Sequence, residues 1–205
     1  YAAPQETTRI MAAWASVPAQ LAKENHKFQY RVIKSGARAS AYEAALDWLN
    51  AAGMIHKCVH VTEGKMPLSA YAENEAFKVY MVDTGLLCSK LDVAAHMVLH
   101  TPHSFDGFKG ALTENYITQA LVANGVTPYY WSSPGKAEVD FVFQDKQGNI
   151  IPLEAKSAGN VRSKSLRNYM DVYKPAYSIR VSAKNFGFEN NIKSIPLYAM
   201  FCLKV

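Results

Sequence analysis

Apolar residues recur with the period of a helix in the first part of the chain. The clearest apolar stripe lies in the segment 40–53, and Gly53 is placed to end that helix. Two strand-like runs follow, MIHKCVHV and FKVYMVD. Because helices followed by a two-stranded ribbon are the order of a winged helix, we predict a winged-helix-like domain over residues 1–100.

From residue 101 onward, helical and strand patterns alternate. An amphipathic helix in FKGALTENYITQALVANG precedes strand patterns in TPYYWSS, AEVDFVFQ and IIPLEAKS. A second helix, SLRNYMDVY, precedes strand patterns in AYSIRVS and in SIPLYAMFCL, which predicts a long buried final strand. The polar segment HTPHSFDGF predicts a linker. The chain is therefore predicted to be α/β (α+β), with a mixed central sheet flanked by helices in a second domain over residues 101–205.

Charged residues fall on one face of the two central strands of this second domain. With a strand period of two, Glu154 and Lys156 share one face of their strand. On the strand AEVDFVF, Asp140 lies on the face opposite the apolar side chains. If the strands pair through the turn near Gly148, the three charged side chains converge. On the preceding helix, Glu114 lies at the edge of the apolar stripe, where a carboxylate needs a partner and a bound cation would serve.

These oxygen donors predict a magnesium or manganese site. Hard divalent cations prefer carboxylate oxygens, which Asp140 and Glu154 supply. A bound cation activates water and neutralises charge on a phosphorus centre, and Lys156 can stabilise the transition state. The simpler alternative is an exposed Glu–Lys pair, which would contribute little to stability or function.

The order of these residues carries a family resemblance. Asp140, then Glu154-x-Lys156 across a hairpin, after a helix that carries Glu114, resembles the PD-(D/E)xK nuclease fold. The resemblance implies that Asp140 and Glu154 are metal ligands, that Lys156 is the catalytic lysine and that Glu114 is an accessory carboxylate. The chain departs from the motif at Val139, where the motif has proline; this position varies between families.

A longer resemblance covers nearly the whole chain. Segments such as VYMVDTGLL, LTENYITQAL and LEAKS resemble the C-terminal part of bacterial and archaeal ATP-binding proteins with a DUF4143 domain. In that family an AAA-type ATPase domain precedes a winged helix and the nuclease-like domain, so the resemblance implies an upstream ATPase domain as a partner. The chain contains no G-x-x-x-x-G-K-[ST] motif, and we expect no ATP hydrolysis from it alone.

Composition adds the expected partners and location. The net charge of +5 permits binding to DNA, and the basic residues around the second helix, Arg162, Lys164 and Arg167, can contact phosphates or form a solvated basic face. Three scattered cysteines favour a cytoplasmic setting. No apolar run reaches the length of a membrane span.

Three functions remain open on these grounds. The leading hypothesis is a metal-dependent DNA phosphodiesterase that forms the effector end of a larger ATPase. The alternative is a catalytically inactive module with the same fold that docks DNA or assembles the ATPase. A third hypothesis is a regulator in which the winged helix binds DNA.

Overall fold

A computed structural model describes residues 4–22, 27–100, 106–134, 137–156 and 164–204. No helix within these ranges is long and apolar enough to cross a membrane. Among the described residues, two short 3-10 helices accompany the α-helices, at Leu68–Tyr71 and Leu197–Cys202. The α-helices are α1 (Pro4–Leu21), α2 (Tyr30–Ile33), α3 (Ala39–Ala51), α4 (Thr84–Lys90), α5 (Ala95–His100), α6 (Asp106–Ala123) and α7 (Lys164–Tyr173).

The strands of the described ranges form one mixed sheet of eight strands, in the order β2-β1-β3-β4-β5-β6-β8-β7. Neighbouring strands are parallel in the pairs β1–β3, β5–β6 and β6–β8, and antiparallel in the others. The prediction of a mixed α/β architecture is confirmed at this level. The strands are β1 (Ile55–Val61), β2 (Ala72–Met81), β3 (Tyr129–Ser132), β4 (Glu138–Gln144), β5 (Ile150–Ala155), β6 (Ser178–Ser182), β7 (Gly187–Glu189) and β8 (Ile192–Pro196).

The sheet runs across the predicted domain boundary. Strand β1 pairs in parallel with β3, with Val59 opposite Tyr129 and Val61 opposite Trp131. One apolar cluster contains residues of α1 and α3 as well as residues of α6, β4 and β5. Both halves thus contribute to one sheet and one core, while the division into domains 1–100 and 101–205 stays a prediction.

Helices α6 and α7 pack against two different apolar clusters. The α6 cluster includes Ile117 together with Phe141 and Leu153 of the central strands. The α7 cluster includes Tyr169 and Val142. Because Phe141 and Val142 are consecutive residues of β4, the two clusters lie on opposite faces of the sheet. Asp140 lies near the start of β4 and Glu154 near the end of β5; because these strands are antiparallel, both residues lie at the same end of the pair.

The last predicted strand is shorter than the sequence pattern suggests. We predicted one long strand in SIPLYAMFCL, but β8 ends at Pro196 and the chain then forms a 3-10 helix. That prediction is wrong, and the reason is the proline. Pro196 has no backbone N–H to continue the ladder with a neighbouring strand.

Candidate active site

A buried lysine lies beside the carboxylate of Glu114. Glu114 on α6 is 9% exposed, and its Oε2 accepts a hydrogen bond of 2.6 Å from the hydroxyl of Tyr80. The same oxygen lies 3.7 Å from Nζ of Lys78, a residue that is only 2% exposed. The charge that a buried carboxylate needs nearby is therefore present in the chain itself, on strand β2.

Lys78 also binds a second carboxylate. Its Nζ lies 2.8 Å from Oε1 of Glu138, at the start of β4. Burial acts to lower the pKa of Lys78, but the surrounding carboxylates, Glu114 first, outweigh burial and raise the pKa above its ordinary value. Burial, and then the charge of Glu114, raises the pKa of Tyr80 as well. Lys78 thus stays an ammonium and Tyr80 stays a hydrogen-bond donor near neutral pH.

Asp140 occupies an irregular position in β4. The register between β3 and β4 shifts by one residue between Tyr129 and Trp131, so β4 carries an extra residue at this point. Our prediction of a single charged face assumed unbroken alternation along β4, and this bulge interrupts it. Oδ2 of Asp140 accepts a hydrogen bond of 2.8 Å from the backbone N–H of Ala155.

Burial and neighbouring charges set the pKa of the Asp140 carboxyl group. Burial, and then the charge of Glu114, raises its pKa to about 8; Glu154 acts in the same direction and Lys78 acts against it. Asp140 therefore lies close enough to sense both Glu114 and Glu154. A carboxyl group with such a pKa holds a proton below about pH 8 unless another cation replaces it.

Glu154 and Lys156 form the predicted pair, but in a buried setting. Glu154 is 4% exposed, and its Oε1 lies 2.5 Å from Nζ of Lys156. Its Oε2 is buried and has no hydrogen-bond partner in the described part of the chain. The backbone N–H of Lys156 donates to the carbonyl of Val181 at 2.8 Å, which fixes the end of β5 against β6. This pair differs from the exposed Glu–Lys pair of the simpler alternative.

The residues present suit a cation with few protein ligands. No three His, Cys, Asp or Glu side chains within the described ranges are grouped closely enough to hold a metal ion together. Magnesium, however, is commonly held by one or two carboxylates, with water and substrate phosphates completing the coordination. The buried, unpartnered Oε2 of Glu154 and the carboxyl group of Asp140, whose pKa burial and Glu114 raise, fit this simpler requirement.

Two of the three basic residues predicted to bind nucleic acid lie within the described part of the chain. Lys164 and Arg167 are exposed at the start of α7. Arg162 lies outside the described residues. Arg167 also lines a cavity on the α7 side of the sheet.

Lys78 and Tyr80 were missed in the sequence reasoning. A signal was present, because Lys78 interrupts the apolar run FKVYMV. A lysine between two buried residues of a strand requires a carboxylate partner. Only the fold reveals that the partners come from α6 and β4, far along the chain.

Two family models match the chain, each over less than half of its length. One, described as "Domain of unknown function (DUF4143)", matches residues 109–200 and supports that part of the resemblance. The other, described as "Domain of unknown function (DUF8612)", matches residues 1–96. No curated protein and no solved structure matched the chain. Glu114 falls within the first range and Lys78 within the second, so their buried ion pair joins the two matched ranges.

Proposed function

We propose that this chain is a metal-dependent DNA phosphodiesterase, and that it works as a module of a larger ATPase. The observation that carries the proposal is the state of Glu154. One of its oxygens contacts the Lys156 ammonium, and the other is buried without a partner among the described residues. A divalent cation would satisfy that oxygen and replace the proton on Asp140, whose pKa is raised by burial and then by the charge of Glu114.

Each residue has a distinct role in this proposal. Asp140 and Glu154 would hold Mg²⁺ or Mn²⁺. When bound, the cation supplies an activated water and neutralises charge at phosphorus. Lys156, held by Glu154, would orient the attacking water and stabilise the extra negative charge of the pentacoordinate transition state.

Glu114 has an indirect role in the same proposal. Its carboxylate holds Lys78 and Tyr80, and its charge raises the pKa of Asp140. It would tune the charge of the Asp140 carboxyl instead of acting as a ligand. The accessory role implied by the nuclease-fold resemblance is compatible with this arrangement.

The DNA and ATPase parts of the proposal have separate support. The net charge of +5 and the exposed Lys164 and Arg167 on α7 suit a polyanionic substrate. The ATPase follows from the resemblance to DUF4143-containing ATP-binding proteins, and the match over residues 109–200 supports the DUF4143 portion alone.

One observation favours the non-catalytic alternative. The ammonium of Lys78 already neutralises charge on Glu114 and Glu138. In the alternative, these three residues form a structural connection between the two halves of the chain. The module then docks DNA or assembles the ATPase without cutting DNA. The two functions make opposite predictions about metal-dependent cleavage.

The test is a DNA cleavage assay with Mg²⁺ or Mn²⁺, with EDTA as the metal-free control. We expect cleavage by the wild-type chain, and losses of more than about 100-fold in Glu154→Gln and Lys156→Met, the scale seen when a transition-state charge contact is removed. The chain offers a matched control, because Glu63 and Lys65 form an exposed ion pair with the same spacing. Glu63→Gln and Lys65→Met should cut like the wild type.

Two results would overturn the catalytic proposal. One is the absence of cleavage with either metal. The other is cleavage that persists in Glu154→Gln and Lys156→Met at the wild-type rate, because that activity would not come from this site.

A further inference from the structure

A cavity of about 470 Å³ lies beside the candidate active site, between α7 and the edge of the sheet formed by β6, β8 and β7. Arg167 of α7, Arg180 of β6, Gly187 of β7 and Ser194 of β8 line it. None of these residues except Arg167 entered the sequence predictions, and the phosphodiesterase proposal assigns the cavity no role.

The sheet register places this cavity next to Glu154. Arg180 is the partner of Glu154 on the neighbouring strand, and Ser194 is the partner of Arg180 on the next strand. Paired residues on adjacent strands project from the same face of a sheet, and strands are about 4.8 Å apart. Arg180 therefore lies one strand away from the proposed metal ligand, on the same face.

Arg180 presents an unsatisfied donor. Its Nε is buried and has no hydrogen-bond partner within the described ranges. A guanidinium is always charged and has only donors, so a buried N–H of this kind requires an acceptor. A phosphate group matches the planar fork of arginine and accepts two parallel hydrogen bonds. Arg167, on the helix side of the cavity, adds a second guanidinium.

The acidic residues of the cavity limit the charge of the ligand that it can bind. Asp171 and Glu189 also line it, and both are exposed. Two carboxylates oppose two guanidiniums, so the cavity suits a singly charged phosphodiester better than a doubly charged terminal phosphate. The ligand that fits this balance is an internal phosphate of a nucleic acid strand.

The pairing of the edge strand β7 with β8 decides which of its side chains share the face of the cavity. Glu189 pairs with Ile192 and lies on the same face as Arg180. Phe188 pairs with Lys193 and projects from the opposite face. We propose that this cavity binds one phosphodiester group of the DNA strand next to the candidate active site, at Arg180 and Arg167. The inference rests on the proposed function, because it takes DNA as the substrate.

The test measures binding without cleavage. Fluorescence anisotropy with a labelled single-stranded oligonucleotide is recorded in EDTA over a range of salt concentrations. We expect Arg180→Gln and Arg167→Gln each to weaken binding several-fold and to reduce the slope of log affinity against log salt by about 0.7, the value for one phosphate contact to a single strand. Arg31→Gln, which changes an exposed arginine of α2, should leave affinity and slope unchanged.

A separate variant keeps the test valid if Arg180→Gln fails to fold, which circular dichroism would detect. Because Arg167 is exposed on α7, Arg167→Gln tests the site independently of Arg180.

The outcomes separate this inference from the catalytic proposal. If the wild-type chain binds DNA and the cavity variants lose affinity, the inference holds even when no cleavage is seen. If the wild type does not bind, or if the cavity variants bind with the wild-type affinity and salt slope, the inference is overturned, whether or not the chain cleaves DNA.

Discussion

Replacing Lys78 with methionine removes the buried ammonium but keeps an unbranched side chain, so the change isolates the charge. The ammonium lies 2.8 Å from Glu138 and 3.7 Å from Glu114. At these distances each attraction amounts to about 4.5–6 kcal/mol at an effective dielectric constant of about 20. Desolvation of the ammonium cancels part of that gain, and removing one partner of a buried pair costs roughly 3–5 kcal/mol in net terms.

The structure indicates where this cost arises. The side chain of Glu138 is 36% exposed, so water can replace its lysine contact, whereas the side chain of Glu114 is only 11% exposed. Glu114 would keep the Tyr80 hydrogen bond but lose its counter-charge. We therefore expect Lys78→Met to lower the free energy of unfolding by roughly 3–5 kcal/mol, with most of the loss due to Glu114.

Urea unfolding near neutral pH, followed by tryptophan fluorescence, measures this loss. The double variant Lys78→Met/Glu114→Gln should be more stable than Lys78→Met alone, because it no longer buries an unpaired carboxylate. Lys65→Met, in an exposed ion pair, should unfold like the wild type. A loss below about 1 kcal/mol for Lys78→Met, the value typical of surface pairs, would refute the role of Lys78 as a buried counter-ion.

Three further predictions concern the surrounding structure. A Cβ atom on Gly64 would lie 2.0 Å from the hydroxyl of the buried Tyr169, so Gly64→Ala should destabilise the protein by about 1–3 kcal/mol in urea unfolding. Gly110→Ala, in α6 with open space around the added methyl group, should be neutral or stabilising, and equal losses in both variants would contradict the packing argument. Tyr80→Phe should lower the free energy of unfolding by about 1.5–3 kcal/mol, because a hydrogen bond to a charged group is lost; an unchanged urea midpoint would argue against that bond. Because the pKa of Asp140 is raised from 3.8 to about 8, the native state retains a proton that the unfolded chain releases. This bound proton stabilises the native state fully below the pKa of the unfolded chain, and the stabilisation is lost as pH rises towards about 8, by up to about 1.4 kcal/mol of unfolding free energy per pH unit. Asp140→Asn should flatten this decline in metal-free urea titrations, and an unaltered decline would count against the assignment.

Local sequence patterns were sufficient to predict the elements of the second half. The alternation in AEVDFVFQ and the apolar stripe of α6 arise from neighbouring residues, and the structure places a strand and a helix there. The Glu154–Lys156 contact was predictable for the same reason, since residues two apart on a strand share a face. Whether the pair was buried was not predictable, because burial depends on distant elements.

The unpredicted features involve residues far apart in the chain. The parallel pairing of β1 with β3 joins segments about 70 residues apart and leaves no short-range signal. The extra residue in β4 depends on the register with β3, which the sequence of β4 alone does not specify. Lys78 acquires its partners through this same long-range pairing, and a lysine in a predicted ribbon gave no indication of which carboxylates it would meet.

The central claim is that Glu154 takes part in holding a divalent cation. Isothermal titration with Mn²⁺ tests it most directly, with the wild type, Glu154→Gln and the exposed control Glu63→Gln measured side by side. The proposal predicts binding in the wild type, at least about a tenfold loss of affinity in Glu154→Gln, and no change in Glu63→Gln. Absence of Mn²⁺ binding in the wild type, or equal affinity in Glu154→Gln, would contradict it.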